Sequence, residues 1–183
     1  MMARNIFLVG PMGAGKTTLG RYLAKMLGRK FHDSDREIEC RTGVSIPVIF
    51  EIEGEAGFRQ RECKMIAELT QLSNIILATG GGAVLAIENR QRLAQGGTVV
   101  YLYASPEQLY RRTVHDSNRP LLQTENPLER LKRLLKERDP LYREVADITI
   151  KTGERPIKAV ANEVLRQLKR YGNVHGQKFS AIR

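Results

Sequence analysis

The stretch NIFLVGPMGAGKTTLG (residues 5–20) places three glycines, Gly10, Gly13 and Gly15, within six positions next to Lys16, directly after a run of apolar residues. Glycine loses more conformational entropy on folding than any other residue, so a cluster of glycines requires a local reason. The apolar run over residues 6–9 predicts a buried β-strand, and the spacing of Leu19 and Leu23 predicts that a helix follows it. A glycine-rich turn between a strand and a helix is typical of a backbone that wraps around a polyanion.

The same stretch fits the phosphate-binding pattern G-x-x-x-x-G-K-[ST] without departure, from Gly10 to Thr17. The pattern predicts that Lys16 bridges the β- and γ-phosphates and that the Thr17 hydroxyl is a ligand of Mg²⁺. Backbone N–H groups would bind the phosphates, which gives the predicted nucleotide-binding residues Gly13, Ala14, Gly15, Lys16, Thr17 and Thr18. The alternative, a glycine-rich turn that binds nothing, is disfavoured by the complete pattern in its strand–helix context. The pattern indicates nucleotide binding and leaves the reaction open.

Five short apolar runs recur along the chain with helical leucine periods between them. The runs are NIFLVG (5–10), RKFHDSD (29–35), NIILATG (74–80), TVVYLYA (98–104) and DITIKT (147–152). Strands that alternate with helices predict an α/β fold, a parallel sheet covered by helices on both sides. A polar, proline-flanked stretch over residues 113–127 predicts a mobile loop. The tail over residues 171–183 has no periodicity, so we expect it to be frayed.

Composition limits the class of protein. A chain of 183 residues with 42% hydrophobic and 27% charged residues is typical of one globular domain. No stretch approaches the roughly 20 apolar residues of a membrane span, and the N-terminal apolar run is too short for a secretory signal. Cys40 and Cys63 are the two cysteines in the sequence, which favours a reducing compartment. Together these features predict a cytoplasmic protein that binds no membrane.

The net charge of +10 suggests an anionic partner, either a nucleic acid or a small anion drawn into a basic cleft. Aromatic residues, on which proteins stack single-stranded bases, make up only 6% and are not interleaved with the basic residues. The composition therefore favours a small anionic substrate over nucleic acid.

An acid pair, Asp33 and Asp35, lies at the carboxyl end of the second predicted strand. Proteins with this phosphate loop usually add an aspartate after another buried strand, and the third and fourth runs end without a carboxylate. The spacing of two places both acids on one face of an extended chain, where one could orient Mg²⁺ through water and the other could receive a substrate hydroxyl. The alternative is an N-cap at Ser34 or Asp35 for the helix that follows.

Further candidates for an acceptor site are the triple glycine, residues 80–82, and three arginines. A turn without side chains at the end of a buried strand lets a ligand approach the backbone, although a tight turn with positive φ would explain it too. Arg59 has Glu62 three residues on, where a helical neighbour could hold the guanidinium. Arg119 lies in the polar loop and Arg138 shortly before a proline. Guanidinium groups suit a carboxylate or phosphate, although single arginines are more often surface charges.

Taken in order, GPMGAGKTT, FHDSDREIE, GFRQRE, ATGGGAV, NRPLL and RDPLYREVAD closely resemble the shikimate kinases, over residues 5–170. The resemblance implies a three-layer α/β/α fold of the nucleoside-monophosphate-kinase type, with a five-stranded parallel sheet. It implies one domain over residues 1–170, with a substrate-binding helical segment and a mobile lid at about 113–127. The implied reaction is ATP-dependent phosphorylation of the 3-hydroxyl of shikimate, with Mg²⁺ as cofactor, in aromatic amino-acid biosynthesis.

The resemblance also implies residue roles. Asp35 is similar to the family's general base, which contacts the ring hydroxyls, and Asp33 to the carboxylate that reaches Mg²⁺ through water. The resemblance further implies that Arg59 and Arg138 bind the substrate carboxylate and that Gly80, Gly81 and Gly82 lie next to the substrate. It implies that Arg119 binds the ATP phosphates and that Arg112 and Arg155 border the adenine. Together with Lys16, Mg²⁺ and Arg119 would neutralise the charge that develops during transfer.

The alternatives come from two classes. A gluconate-type small-metabolite kinase shares the phosphate loop and the acid pair, while the paired arginines and the triple glycine favour a cyclic hydroxy acid. A nucleotide-dependent nucleic-acid-binding protein would be recognised by a steep loss of binding with added salt. We expect a monomer, because no exposed apolar stripe requires a partner.

Overall fold

The computed structural model describes residues 4–114, 122 and 124–180, with the backbone alone over 173–180. The predicted lid at 113–127, including Arg119, lies largely outside the described residues. No helix within the described part of the chain is long and apolar enough to cross a membrane.

In the part of the chain that the structure describes, five parallel strands form one sheet, as the sequence predicts. They are β1 (Asn5–Val9), β2 (Lys30–Asp33), β3 (Ile75–Ala78), β4 (Gly97–Tyr103) and β5 (Ile148–Lys151), in the order β2-β3-β1-β4-β5. The three inner strands are almost entirely buried, whereas the edge strands β2 and β5 are partly exposed. Near-continuous apolar sequence in the first, third and fourth runs therefore corresponds to strands that are covered on both faces.

The described residues form seven helices, which lie on the two faces of the sheet. They are α1 (Lys16–Leu27), α2 (Ser34–Thr42), α3 (Ile46–Leu69), α4 (Ile87–Gly96), α5 (Pro106–Thr113), α6 (Pro127–Val145) and α7 (Ile157–Ser180), with a 3₁₀ turn at Ala83–Leu85. Side chains of β1 alternate between two separate cores. Leu8 packs in the core that contains residues of α1 and α7, and Phe7 in the core that contains residues of α3 and α4. This alternation confirms the predicted three-layer α/β/α fold.

Two helices differ from what the sequence suggests locally. Gly54 interrupts α3 with φ 70° and ψ −178°, so that this element consists of two helical halves, residues 46–53 and 55–69. Helix α7 continues to Ser180, past Tyr171, where the sequence predicts frayed backbone. The Tyr171 hydroxyl donates a hydrogen bond to the Asp147 carboxylate, and one glycine costs a helix only about 1 kcal/mol. The domain boundary at residue 170 stays a prediction.

The candidate site lies at the carboxyl ends of β2, β3 and β1, which are neighbours in the sheet. Register pairs Asp33 with Ala78 and Ala78 with Leu8, so the three strands end at almost the same level. Thr79 continues the ladder by donating its N–H to the Leu8 carbonyl at 3.1 Å. The acid pair, the triple glycine and the phosphate loop consequently begin side by side.

Candidate active site

The phosphate loop has the backbone that its glycines predict. Gly10, Gly13 and Gly15 have φ of 142°, 78° and 94°, a region that other residues rarely adopt. Gly15 is the N-cap of α1, whose first turn contains no acidic residue. The Lys16 ammonium donates to the carbonyls of Gly10 at 2.7 Å and Pro11 at 2.8 Å, which holds the cation against the loop. Free N–H groups at a helix start, together with this ammonium, make the loop attractive to a phosphate.

Asp33 connects the phosphate loop to the acid pair. Its Oδ2 accepts a hydrogen bond from the Thr17 hydroxyl at 2.6 Å. Its Oδ1 accepts from the backbone N–H groups of Asp35 at 3.2 Å and Arg36 at 3.4 Å, which makes Asp33 the N-cap of α2. The predicted alternative caps, Ser34 and Asp35, are therefore wrong, because the helix begins directly after the strand. Asp33 caps α2 and accepts the Thr17 hydrogen bond at the same time, because each contact uses a different carboxylate oxygen.

The triple glycine lies where Asp35 and side chains of α3 come together. A Cβ added to Gly80 would lie 2.6 Å from Asp35 Oδ1 and 2.5 Å from Glu62 Oε1. A Cβ at Gly82 would lie 2.3 Å from the guanidinium carbon of Arg59. None of the three glycines has a positive φ, so a turn conformation does not explain them. Gly80 and Gly82 are required because charged side chains pack directly against their backbone, whereas Gly81 faces the backbone of the phosphate loop, with Met12 N 3.3 Å from an added Cβ.

Arg59 is held by two carboxylates. Its Nη1 donates to Glu62 at 2.7 Å and its Nη2 to Glu55 at 3.0 Å. The side chain of Glu62 is only 1% exposed, and that of Glu55 is 46% exposed. Burial raises the pKa of Glu62, while the charges of Arg59 and Arg138 act in the opposite direction. The sequence places Glu62 beside Arg59 without identifying it as part of a site, and it does not indicate Glu55.

Arg138 approaches the same region from α6. It is 4% exposed and shares a small cavity with Tyr142 and with Pro11 and Met12 of the phosphate loop. The Tyr142 hydroxyl donates to the Gly81 carbonyl. Thus α6 contacts both the triple glycine and the loop, and Arg138 lies between them.

A cavity of about 240 Å³ adjoins the phosphate loop on the side of β5. Its lining includes Gly13, Ala14, Gly15 and Thr18, together with Arg112 and Arg155. Arg112 donates to the carbonyls of Gly13, at 3.1 Å, and Gly153. Arg155 donates to the carbonyls of Lys151 at 3.3 Å and Ala159 at 3.4 Å. The structure therefore brings both predicted adenine-side arginines to one cavity.

Comparison with known proteins identifies the family. The family model for shikimate kinase matches residues 12–169. This chain belongs to the shikimate kinase family. It is a phosphotransferase with an alcohol acceptor, and it converts shikimate and ATP to shikimate 3-phosphate and ADP in aromatic amino-acid biosynthesis.

Similar shikimate kinases cover almost the whole chain. That of Nitrosococcus oceani is 78% identical over 171 residues, 93% of this chain and 90% of the relative. That of Methylococcus capsulatus is 57% identical, over 92% of this chain and 94% of the relative. A solved structure of shikimate kinase from Acinetobacter baumannii in complex with shikimate has 55% identity and a TM-score of 0.90, covering 92% of this chain and 94% of that one.

A gluconokinase structure from Sinorhizobium meliloti resembles this chain more distantly. It has 17% identity and a TM-score of 0.59, over 96% of this chain and 98% of that one. At this identity the likeness shows the fold alone. The gluconate-type alternative is thus related in architecture, while the shikimate kinases are related in sequence over 92–93% of this chain.

Proposed function

We propose that the chain transfers the γ-phosphoryl group of ATP to shikimate with Asp35 as the general base. The observation that supports this is the close packing of Asp35 and Glu62 against Gly80, beside Arg59 and Gly82. This group lies at the ends of β2 and β3, next to the strand that leads into the phosphate loop. An acceptor hydroxyl at Asp35 would therefore face the nucleotide, which is the arrangement that in-line transfer requires.

The substrate carboxylate binds Arg59 and Arg138 in this proposal. Both arginines are largely buried, and the Nε of each is a buried donor without a hydrogen-bond partner among the described residues. Buried donors without partners are uncommon in folded proteins and favour a ligand that accepts from them. A carboxylate between two guanidinium groups gains charge-assisted hydrogen bonds that a neutral acceptor lacks.

Thr17 and Asp33 are the residues that suit Mg²⁺. Hard oxygen ligands are what this ion prefers, and in kinases one or two protein oxygens usually complete a shell of phosphate oxygens and water. The Thr17 hydroxyl and an Asp33 carboxylate oxygen lie 2.6 Å apart beside the loop, so the donor set fits. When bound, Mg²⁺ would neutralise charge that develops on the transferred group.

The remaining roles concern the nucleotide. Residues 13–18 bind the phosphates, Lys16 and Arg119 stabilise the transition-state charge, and Arg112 and Arg155 border the adenine. Arg119 lies outside the described residues, so its role rests on the sequence alone. We further propose that the enzyme acts as a cytoplasmic monomer that binds neither membrane nor nucleic acid.

Release of ADP from MgATP tests the acceptor directly. The purified protein is assayed with shikimate, gluconate, quinate, AMP or no acceptor, and the shikimate product is identified by mass spectrometry. We expect rapid release with shikimate alone. Equal, slow release in every reaction would contradict the acceptor site, and faster release with gluconate would favour the gluconate-type alternative. Omission of Mg²⁺ in a parallel reaction tests the metal.

A further inference from the structure

The two carboxylates that hold Arg59 differ in how firmly they are placed. Glu62 is buried and packs against Gly80, so its position is fixed by its surroundings. Glu55 is 46% exposed, and its ion pair with Arg59 is one that solvent can replace. Exposed ion pairs of this kind contribute little to stability, so the Glu55 side chain can leave at small cost.

The break in α3 determines where Glu55 lies. Gly54 has φ 70° and ψ −178°, a conformation essentially restricted to glycine, and no atom lies within 4 Å of a Cβ built on it. The second half of the helix therefore restarts at Glu55, one helical turn before Arg59. At a separation of four residues the carboxylate reaches Nη2 of the guanidinium at 3.0 Å. Glycine is therefore required at position 54 by the backbone conformation and not by close packing.

Arg59 already donates to two carboxylates before any ligand binds, one at each terminal nitrogen. Burial alone would lower the pKa of Arg59, but the carboxylates of Glu62 and Glu55 outweigh this and raise it. The buried Nε has no hydrogen-bond partner among the described residues, so it is a donor that an incoming carboxylate can use. A bidentate carboxylate takes two neighbouring N–H groups of a guanidinium. An acceptor carboxylate that binds at Nε and Nη2 therefore competes with the exposed Glu55 for Nη2.

We propose that Glu55 tunes the affinity for the acceptor: its carboxylate occupies Nη2 of Arg59 and is displaced from it by the carboxylate of the acceptor. This inference rests on the proposed role of Arg59 as a substrate-carboxylate contact. Glu55 thereby lowers the affinity for shikimate and for any other anion that binds at Nη2 of Arg59. Because Glu55 touches neither the nucleotide nor Asp35 in this arrangement, its effect falls on acceptor binding rather than on the transfer step.

The test compares Glu55→Gln with Glu51→Gln. Both substitutions remove one exposed negative charge from α3, but only Glu55 contacts Arg59. We expect Glu55→Gln to lower the KM for shikimate and its calorimetric Kd about two- to five-fold, with kcat little changed. Glu51→Gln should leave all three constants near those of the wild type. An unchanged or increased KM and Kd in Glu55→Gln would overturn the proposal.

A shikimate analogue in which a carboxamide replaces the carboxylate distinguishes competition from a structural effect. Glu55→Gln should improve binding of the acid and leave binding of the amide unchanged, because the amide gains no ion pair at Arg59. Equal effects on both compounds would contradict a competing anion.

Arg59→Lys separates this inference from the underlying site assignment. If Arg59→Lys weakens shikimate binding while Glu55→Gln has no effect, only the role of Glu55 is wrong. If Arg59→Lys leaves shikimate binding unchanged, the carboxylate site itself is wrong, and the inference fails with it.

Discussion

Thr17 and Asp33 are joined by a hydrogen bond of 2.6 Å, which connects the first turn of α1 to the last residue of β2. The other oxygen of Asp33 caps α2, so a single carboxylate holds the phosphate loop, the sheet and the helix that carries Asp35. The proposed metal position is therefore part of the framework and does not depend on a flexible side chain.

Two substitutions separate the capping role of Asp33 from its metal role. Asp33→Ala removes the cap and should lower the free energy of unfolding by about 0.5–2 kcal/mol, measured by urea denaturation. Asp33→Asn keeps an acceptor at the cap, so we expect near wild-type stability but a higher Mg²⁺ concentration for half-maximal activity. Unchanged Mg²⁺ dependence in Asp33→Asn would contradict the metal role.

Removing the proposed base should abolish turnover and leave nucleotide binding intact. For Asp35→Asn we expect kcat to fall by about 10²- to 10⁴-fold, the usual contribution of a general base. Calorimetric binding of MgADP checks that the phosphate loop is unaffected. Retained turnover would remove Asp35 from the mechanism.

A methyl group at Gly82 should displace Arg59 without unfolding the protein. The added Cβ would lie 2.3 Å from the guanidinium carbon, and the end of an arginine side chain can move. Gly82→Ala should raise the KM for shikimate while the melting temperature changes little.

Gly10→Ala and Gly172→Ala are the matching controls. A Cβ at Gly10 meets the backbone carbonyl oxygen of Leu102 at 2.6 Å with φ 142°, so Gly10→Ala should prevent stable folding. A Cβ at Gly172 has open space, so Gly172→Ala should change neither stability nor kinetics substantially. A wild-type KM in Gly82→Ala would show that the guanidinium position is unimportant for acceptor binding.

Loss of either acceptor arginine should weaken binding of shikimate. Charge-assisted hydrogen bonds contribute about 1.5–3 kcal/mol, so Arg59→Ala and Arg138→Ala should each raise KM roughly ten- to hundred-fold. The KM for ATP, measured with saturating shikimate, should stay nearly constant. If the KM for shikimate does not change in either variant, the carboxylate assignment is wrong.

Glu62 should make stability depend on pH. Because burial raises its pKa in the folded state, the folded protein binds the proton more tightly than the unfolded chain does. The resulting stability is fully present below the unfolded-state pKa and is lost as pH rises through the folded-state pKa. We therefore expect the free energy of unfolding of the wild type to fall, relative to that of Glu62→Gln, as pH rises from about 5 to about 8. A difference that stays constant over this range would contradict the raised pKa.

Features that depend on neighbouring residues could be predicted from the sequence. The phosphate loop and the five strands follow from local patterns, and Asp33 and Asp35 are recognisable as acids two apart where β2 ends. The expectation that both lie on one face of an extended chain is wrong, because β2 ends at Asp33 and Asp35 lies in the first turn of α2. The sequence places the N-cap of α2 at Ser34 or Asp35, one or two residues after the observed cap at Asp33, because the sequence determines helix boundaries poorly.

Contacts between distant segments could not be predicted in this way. Gly80 and Gly82 are explained by Glu62 and Arg59, which come earlier in the chain, and no periodicity relates these positions. The break at Gly54, and with it the contact between Glu55 and Arg59, depends on a positive φ angle. A single glycine permits this angle, but its presence in the sequence does not predict it.

The strand order β2-β3-β1 has a consequence for redesign. Neighbouring strands lie about 4.8 Å apart, so the backbone ladder determines the separation between the phosphate loop and the positions of Asp35 and Gly80. The groups proposed to choose the acceptor, in contrast, project from α3 and α6, which are held by side-chain packing. Transfer geometry and acceptor choice are thus encoded in separate parts of the molecule. A library confined to the second half of α3 could explore new hydroxy acids while the distance over which the phosphoryl group travels stays constant.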